Sequence, residues 1–360
     1  MAENNSSALD SNFRTLEPYT AGEQPDFADM IKLNTNENPY PPSQKVIDAG
    51  SVFDSRNLRL YPSVDASKLR NAIAAYHGFE ADRVFVGVGS DDVLAIIFQT
   101  CFNSGKQILF PEITYSFYEV WADLYRINYT AIPLKPDFTI DPADYIGRDN
   151  GGIVIANPNA PTSIAMPAGD IISIVEANPG RIVVIDEAYV DFGGESVMPY
   201  LDKYPNLVVV RTYSKSRSLA GLRIGYAIAS KRIIGEMENV KNSINSYPMN
   251  RPSIEMGAAS LEDETYFKDR VGKIIETRER LTEELTQLGF KVFPSSANFV
   301  FATHPEVDAT FIFEELKKKH IYVRHFKKPL INDYLRITVG TDEQISVLVE
   351  NLKKIINIGK

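Results

Sequence analysis

Residues 182–215 read IVVIDEAYVDFGGESVMPYLDKYPNLVVVRTYSK. Two apolar, mostly β-branched runs, 182–185 and 207–210, each break into polar residues: Asp186-Glu187 after the first, Arg211 to Lys215 after the second. A strand with one wet face alternates apolar and polar residues. These runs do not alternate, which predicts strands buried on both faces of a parallel sheet. Upstream, 84–88 leads into Gly89-Ser90-Asp91-Asp92, 108–110 is a further strand, and 153–156 leads into Asn157 to Thr162. Helix-like segments at 91–102 and 168–177 lie between them. The alternation predicts an α/β fold, a mainly parallel, doubly wound sheet with helices on both faces.

The character changes near residue 256. A charged amphipathic segment, 262–288, carries Ile, Leu and Tyr at helical spacing. Strand-like pieces follow at 291–293, 298–302 and 335–339, with a helix at 311–320. The expected division is an N-terminal arm with part of the small domain (1–29), a large domain (30–255) and a small α+β domain (256–360). The first dozen residues are small and polar and read as a frayed start.

Composition narrows the function. At 360 residues there is room for one large and one smaller domain. A net charge of −9 speaks against the basic stripe of a nucleic-acid surface. The four histidines are scattered with no HxxxH or CxxC spacing, so no metal site is expected. The lone Cys101 excludes an internal disulfide framework and predicts a reducing cytoplasm. No stretch approaches the ~20 apolar residues of a membrane span, so no membrane partner is expected.

In an open parallel sheet, ligands bind beyond the carboxyl ends of the strands. Four polar bursts at that predicted edge point to a site there. Gly89-Ser90-Asp91 opens a helix whose free N–H groups suit a phosphate. The spacing Gly87-x-Gly89 lacks the third glycine of a dinucleotide fingerprint, because position 92 is Asp.

Residues 214–226, SKSRSLAGLRIGY, resemble the lysine segment of fold-type I aminotransferases that use pyridoxal 5′-phosphate (PLP). The likeness covers nearly the whole chain and resembles in particular the histidinol-phosphate aminotransferase subfamily. It is carried by LEPY at 16–19, NTNENPY at 34–40, LYP at 60–62, GSD at 89–91, PEITY at 111–115, DEAY at 186–189 and LRITVGT at 335–341.

The resemblance implies roles. Lys215 would carry PLP as a Schiff base and, once displaced by substrate, move the proton. Asp186 would keep the pyridine nitrogen protonated, Tyr189 would bond the ring oxygen, and Tyr115 would stack on the ring. Ser90, Asp91, Thr212, Ser214 and Arg223 would bind the phosphate, joined by Tyr61 of the neighbouring subunit, which implies a homodimer with composite sites. Arg336 would take the α-carboxylate of glutamate and Arg324 a phosphate or distal carboxylate, with Tyr19 and Asn36 among the substrate-binding residues. The implied reaction is histidinol phosphate with 2-oxoglutarate to imidazole acetol phosphate and glutamate. Alternatives are an aminotransferase for aromatic or other acidic or phosphorylated donors, a related amino-acid-phosphate decarboxylase, and a PLP-binding regulatory module without turnover.

The chain departs from the pattern in places. Ala160 stands where the family has an Asn that bonds the ring oxygen, leaving Asn159 as the substitute, and Ser163 and Pro41 replace glycines. Ser216-Arg217 follows the lysine, which adds a cation expected close to the cofactor.

Overall fold

The computed structural model describes residues 9–359 except 11, 21 and 28; most of the polar start lies outside the described residues. In chain order the strands are β1 (Ile31–Lys32), β2 (Val84–Gly87), β3 (Ile108–Pro111), β4 (Tyr129–Ile132), β5 (Ile153–Ala156), β6 (Val183–Asp186), β7 (Leu207–Thr212) and β8 (Gly225–Ile228). Then come β9 (Lys291–Val292), β10 (Phe299–Thr303), β11 (Ile321–Tyr322), β12 (Arg324–His325) and β13 (Leu335–Thr338).

Seven strands form the main sheet in the order β2-β8-β7-β6-β5-β3-β4. The neighbours from β7 through β4 run parallel, whereas β8 is antiparallel to both β7 and β2. The fold class matches the expectation, and the continuous apolar runs have a simple cause. Ile153, Ile155, Val183, Ile185, Leu207 and Val209 enter the core on one face. Val154, Ala156, Val184, Val208 and Val210 enter a second core on the other. Burying each Val, Leu or Ile side chain here stabilises the fold by about 1.5–3 kcal/mol, so both faces select against polar residues.

The C-terminal part carries an antiparallel sheet, β12-β13-β10-β9. Its core joins Val300, Ile337 and Leu335 to Leu281, Ile312 and Leu348 of the helices Glu264–Gln287, Ala309–Lys317 and Asp342–Gly359. Strand β1 pairs with β11 in parallel, Ile31 opposite Ile321, and Leu33 enters the same core. The arm before it is tied to this part by Glu23–Lys317 at 2.6 Å and Asp29–His320 at 2.8 Å. Among the described residues no helix is long and apolar enough to cross a membrane.

Candidate active site

The carboxyl ends of the parallel strands open onto one cavity of about 220 Å³. Asp186 ends β6, Ala156 ends β5, and Thr212 ends β7, with Lys215 three residues beyond. Ser90 opens the helix after β2, and Thr114, Tyr115 and Ser116 follow β3. Tyr19, Asn34 and Asn36 from the N-terminal segment, and Arg324, Phe326 and Arg336 from around β12 and β13, complete the wall.

Lys215 Nζ donates to the Thr35 carbonyl at 3.0 Å and lies 5.8 Å from the centre of the Tyr189 ring. Burial, and then the nearby Arg336, lower its pKa to about 8. Asp186 is buried: Oδ1 accepts from Ala188 N at 3.1 Å and Oδ2 from the Tyr118 hydroxyl at 3.0 Å. Burial raises its pKa to about 6, against the pull of the Tyr118 bond. The Tyr189 hydroxyl accepts from Asn36 Nδ2 at 2.9 Å.

Ser90, Asp91, Thr212, Ser214 and Arg223 line the cavity together. Two glycines permit their closeness. A Cβ on Gly225 would lie 2.2 Å from Ser90 N, and one on Gly89 (φ 85°) would lie 2.6 Å from Arg223 Nη2. Arg223 Nη2 stands 3.1 Å from Asp91 Oδ2, and Tyr115 donates to Asp91 Oδ1 at 2.7 Å. Also on the wall, Arg336 Nη2 donates to the Asn34 carbonyl at 2.8 Å, and its buried Nε has no partner among the described residues. Arg324 Nη2 donates to the Thr20 carbonyl at 2.9 Å, its guanidinium 5.5 Å from the centre of the Phe326 ring.

The family profile of aminotransferase class I and II matches residues 28–352. The chain belongs to the class I and II aminotransferases. This aminotransferase is 53% identical over 344 residues to the histidinol-phosphate aminotransferase of Lactococcus lactis subsp. cremoris, with 96% of each chain covered. It is 52% identical to that of Acinetobacter baumannii, with 95% of each covered. Its fold is similar to the structure of histidinol-phosphate aminotransferase from Sinorhizobium meliloti in complex with PLP (TM-score 0.83, 24% identity, 91% of each chain).

The cofactor of this aminotransferase is PLP, and the donor set fits it. The cavity offers an amine of lowered pKa, a buried carboxylate, a glycine-lined helix start beside an arginine, and an orphaned guanidinium nitrogen for a carboxylate. Thirteen of the residues singled out from the sequence line this cavity, from Tyr19 to Arg336.

Two singled-out residues do not. Asn159 is buried and ties its loop to the segment after β3: Nδ2 donates to the Ile113 carbonyl and Thr162 Oγ1, both at 2.9 Å, and Oδ1 accepts from Thr114 at 2.8 Å. Ala160 lines the cavity instead, packed with Ala297, Phe299 and Tyr189. Tyr61 is 76% exposed and stacks on Tyr247 at 4.7 Å. Arg217 corrects an expectation: it is not a wall residue. Its guanidinium sits 4.3 Å from the Phe267 ring and 4.8 Å from the Tyr76 ring, and it donates to the Ser260 carbonyl at 2.8 Å. The extra cation is therefore absorbed by aromatic packing.

Sequence reading missed Asn34, Thr35 and Phe326 in the wall and Tyr118 behind it. One of these had a signal: in extended chain, residues two apart share a face, so Phe326 accompanies Arg324 of β12.

Proposed function

We propose that this aminotransferase moves the amino group of L-histidinol phosphate to 2-oxoglutarate, as a cytoplasmic homodimer. The observation that carries the reading is the placement of Arg324 and Arg336 on the wall of the cavity that holds Lys215. Two unlike substrates must use one pocket in turn. Glutamate brings an α-carboxylate, whereas histidinol phosphate has none and carries a phosphate dianion. Fixed guanidinium groups serve both, because the same fork bonds carboxylate and phosphate. In a chain of net charge −9, this wall holds four cationic side chains against two acidic ones. The identity of 53% with a relative of that name supports the same substrate.

Bound PLP supplies a carbonyl carbon that bonds to an amine and a ring that takes up electrons as the substrate's α-proton leaves. The chain's own groups do the rest. The N–H groups of Ser90 and Asp91, the hydroxyls of Thr212 and Ser214, and Arg223 would hold the phosphate. Asp186 would keep a proton on the ring nitrogen, Tyr189 would donate to the ring oxygen, and Tyr115 would cover the ring face. Lys215 Nζ would carry the α-proton, and a pKa of about 8 makes it both acid and base near neutrality. Arg336 would bind the α-carboxylate, and Arg324 the phosphate or distal carboxylate, beside Tyr19. Tyr61 would reach the phosphate of the other subunit. Leu58, Leu60, Val64 and Tyr247 are also exposed on this stretch and its neighbour, an apolar surface suited to a second copy.

A donor panel against 2-oxoglutarate tests the reading with histidinol phosphate, histidine, phenylalanine, tyrosine, aspartate and phosphothreonine. Histidinol phosphate should lead in kcat/KM. An aromatic amino acid in first place, or release of carbon dioxide from phosphothreonine, would sink the assignment.

A further inference from the structure

Tyr118 and Asp186 form a pair inside the protein. Tyr118 is fully buried, Asp186 is 5% exposed, and the phenol donates to the carboxylate at 3.0 Å. With Ala188 N–H on the other oxygen, each oxygen has one donor, which fixes the carboxylate plane and leaves the remaining lone pairs for the cavity. A buried carboxylate short of donors takes up a proton rather than stay charged. Tyr118 is the strongest of the influences that oppose this at Asp186.

The phenol is held in place. Its ring lies 5.9 Å from Phe110 and 5.8 Å from Tyr115, both edge-on, with Phe98 at 6.3 Å. Burial, and then the Asp186 charge, keep it protonated well above the usual tyrosine range, so it remains a donor. Tyr118 is not among the wall residues. It stands behind Asp186 and, three residues along, behind Tyr115.

We propose that Tyr118 is a positioning residue that keeps the Asp186 carboxylate charged and aimed at the ring nitrogen of the cofactor. This rests on the reading of Asp186 above, and the experiment separates the two.

Holoenzyme is prepared with PLP isotope-labelled at the ring nitrogen and followed by nitrogen NMR. Wild type should show a protonated nitrogen. Tyr118→Phe, which keeps the ring contacts, should move the signal toward the neutral form. It should also slow the half-reaction by roughly ten- to a hundredfold, the span for losing a hydrogen bond to a charged group, with the donor KM nearly unchanged. In an Asp186→Asn background the same change should do little. If Asp186→Asn leaves the signal in place, the Asp186 reading fails and the proposal with it. If Asp186→Asn moves the signal and Tyr118→Phe does not, Tyr118 only packs and the proposal alone is overturned. Should Tyr118→Phe be too unstable to hold cofactor, melting of the double variant decides. Restored stability would show that the unpaired charge was at fault; equal instability would overturn the proposal.

Discussion

Asn36 donates its side-chain amide to the hydroxyl of Tyr189 at 2.9 Å, across 153 residues of chain. Thr338 Oγ1 bonds both the backbone N–H and Oδ1 of Asn36, each at 3.0 Å, and Asn298 donates to its carbonyl at 3.0 Å. One side chain thus ties the N-terminal segment, the exit of β6 and the antiparallel sheet together at the cavity. Because Tyr189 accepts this bond, its own O–H proton is left for the cavity.

Asn36 has φ 56°, a left-handed conformation that costs Asn less than Ala. Asn36→Ala should lose about 1–3 kcal/mol for unpaired buried groups plus backbone strain, whereas Asn36→Gly loses the bonds without the strain. Urea melts of both variants check this. Equal stability would show that the backbone conformation costs nothing here.

Purified protein should be yellow, and Lys215→Ala should lose the visible band. Borohydride reduction followed by peptide mapping should place the cofactor on Lys215. Label on any other lysine would refute the assignment.

Only an unprotonated amine can bond the cofactor. With the Lys215 pKa lowered to about 8, the ammonium form dominates below that pH and the amine above it. Capture of PLP by cofactor-free enzyme should therefore speed up by about tenfold per pH unit below 8 and level off above, well short of the ordinary lysine value of about 10.4. Stopped-flow absorbance measures this. The same shift acts on stability: between about 8 and 10.4 the unfolded chain binds the extra proton, so stability of the cofactor-free enzyme rises with pH across that window. A capture rate still climbing steeply at pH 9.5 would argue for an unshifted lysine.

Arg324→Ala should raise KM for histidinol phosphate by roughly ten- to a hundredfold, the loss of a charge-assisted contact, and change unphosphorylated donors far less. Arg336→Ala should instead act mainly on glutamate. Steady-state kinetics with each donor distinguish the two, and equal effects on all donors would show that neither arginine discriminates.

Tyr61→Phe subunits mixed with Lys215→Ala subunits should form dimers with one doubly damaged site and one intact site. Activity well above either parent is expected. No recovery, with mixed dimers confirmed by mass, would show that Tyr61 serves its own chain.

Lys215, Asp186 and Ser90 were legible because a strand buried on both faces admits only apolar residues, and the polar residue that ends it stands at the sheet edge where ligands bind. Strand β4 was not legible: three of its four residues are only partly buried at the sheet margin, so its pattern is weak. Nor was β8, a four-residue strand that begins at Gly225 and runs against its neighbours.

Side-chain direction was decided by the fold alone. Asn159 and Ala160 are adjacent in sequence, yet the amide of Asn159 is engaged by Ile113, Thr114 and Thr162 while Ala160 lines the cavity. Arg217 is two residues from Lys215 and is drawn off by Tyr76 and Phe267, 141 and 50 residues away from it in the chain. Tyr118 meets a carboxylate 68 residues on. Local pattern determines which residues a strand buries and where it ends, because burial acts on every residue of the run. Which neighbour a polar side chain meets depends on segments that only packing brings together.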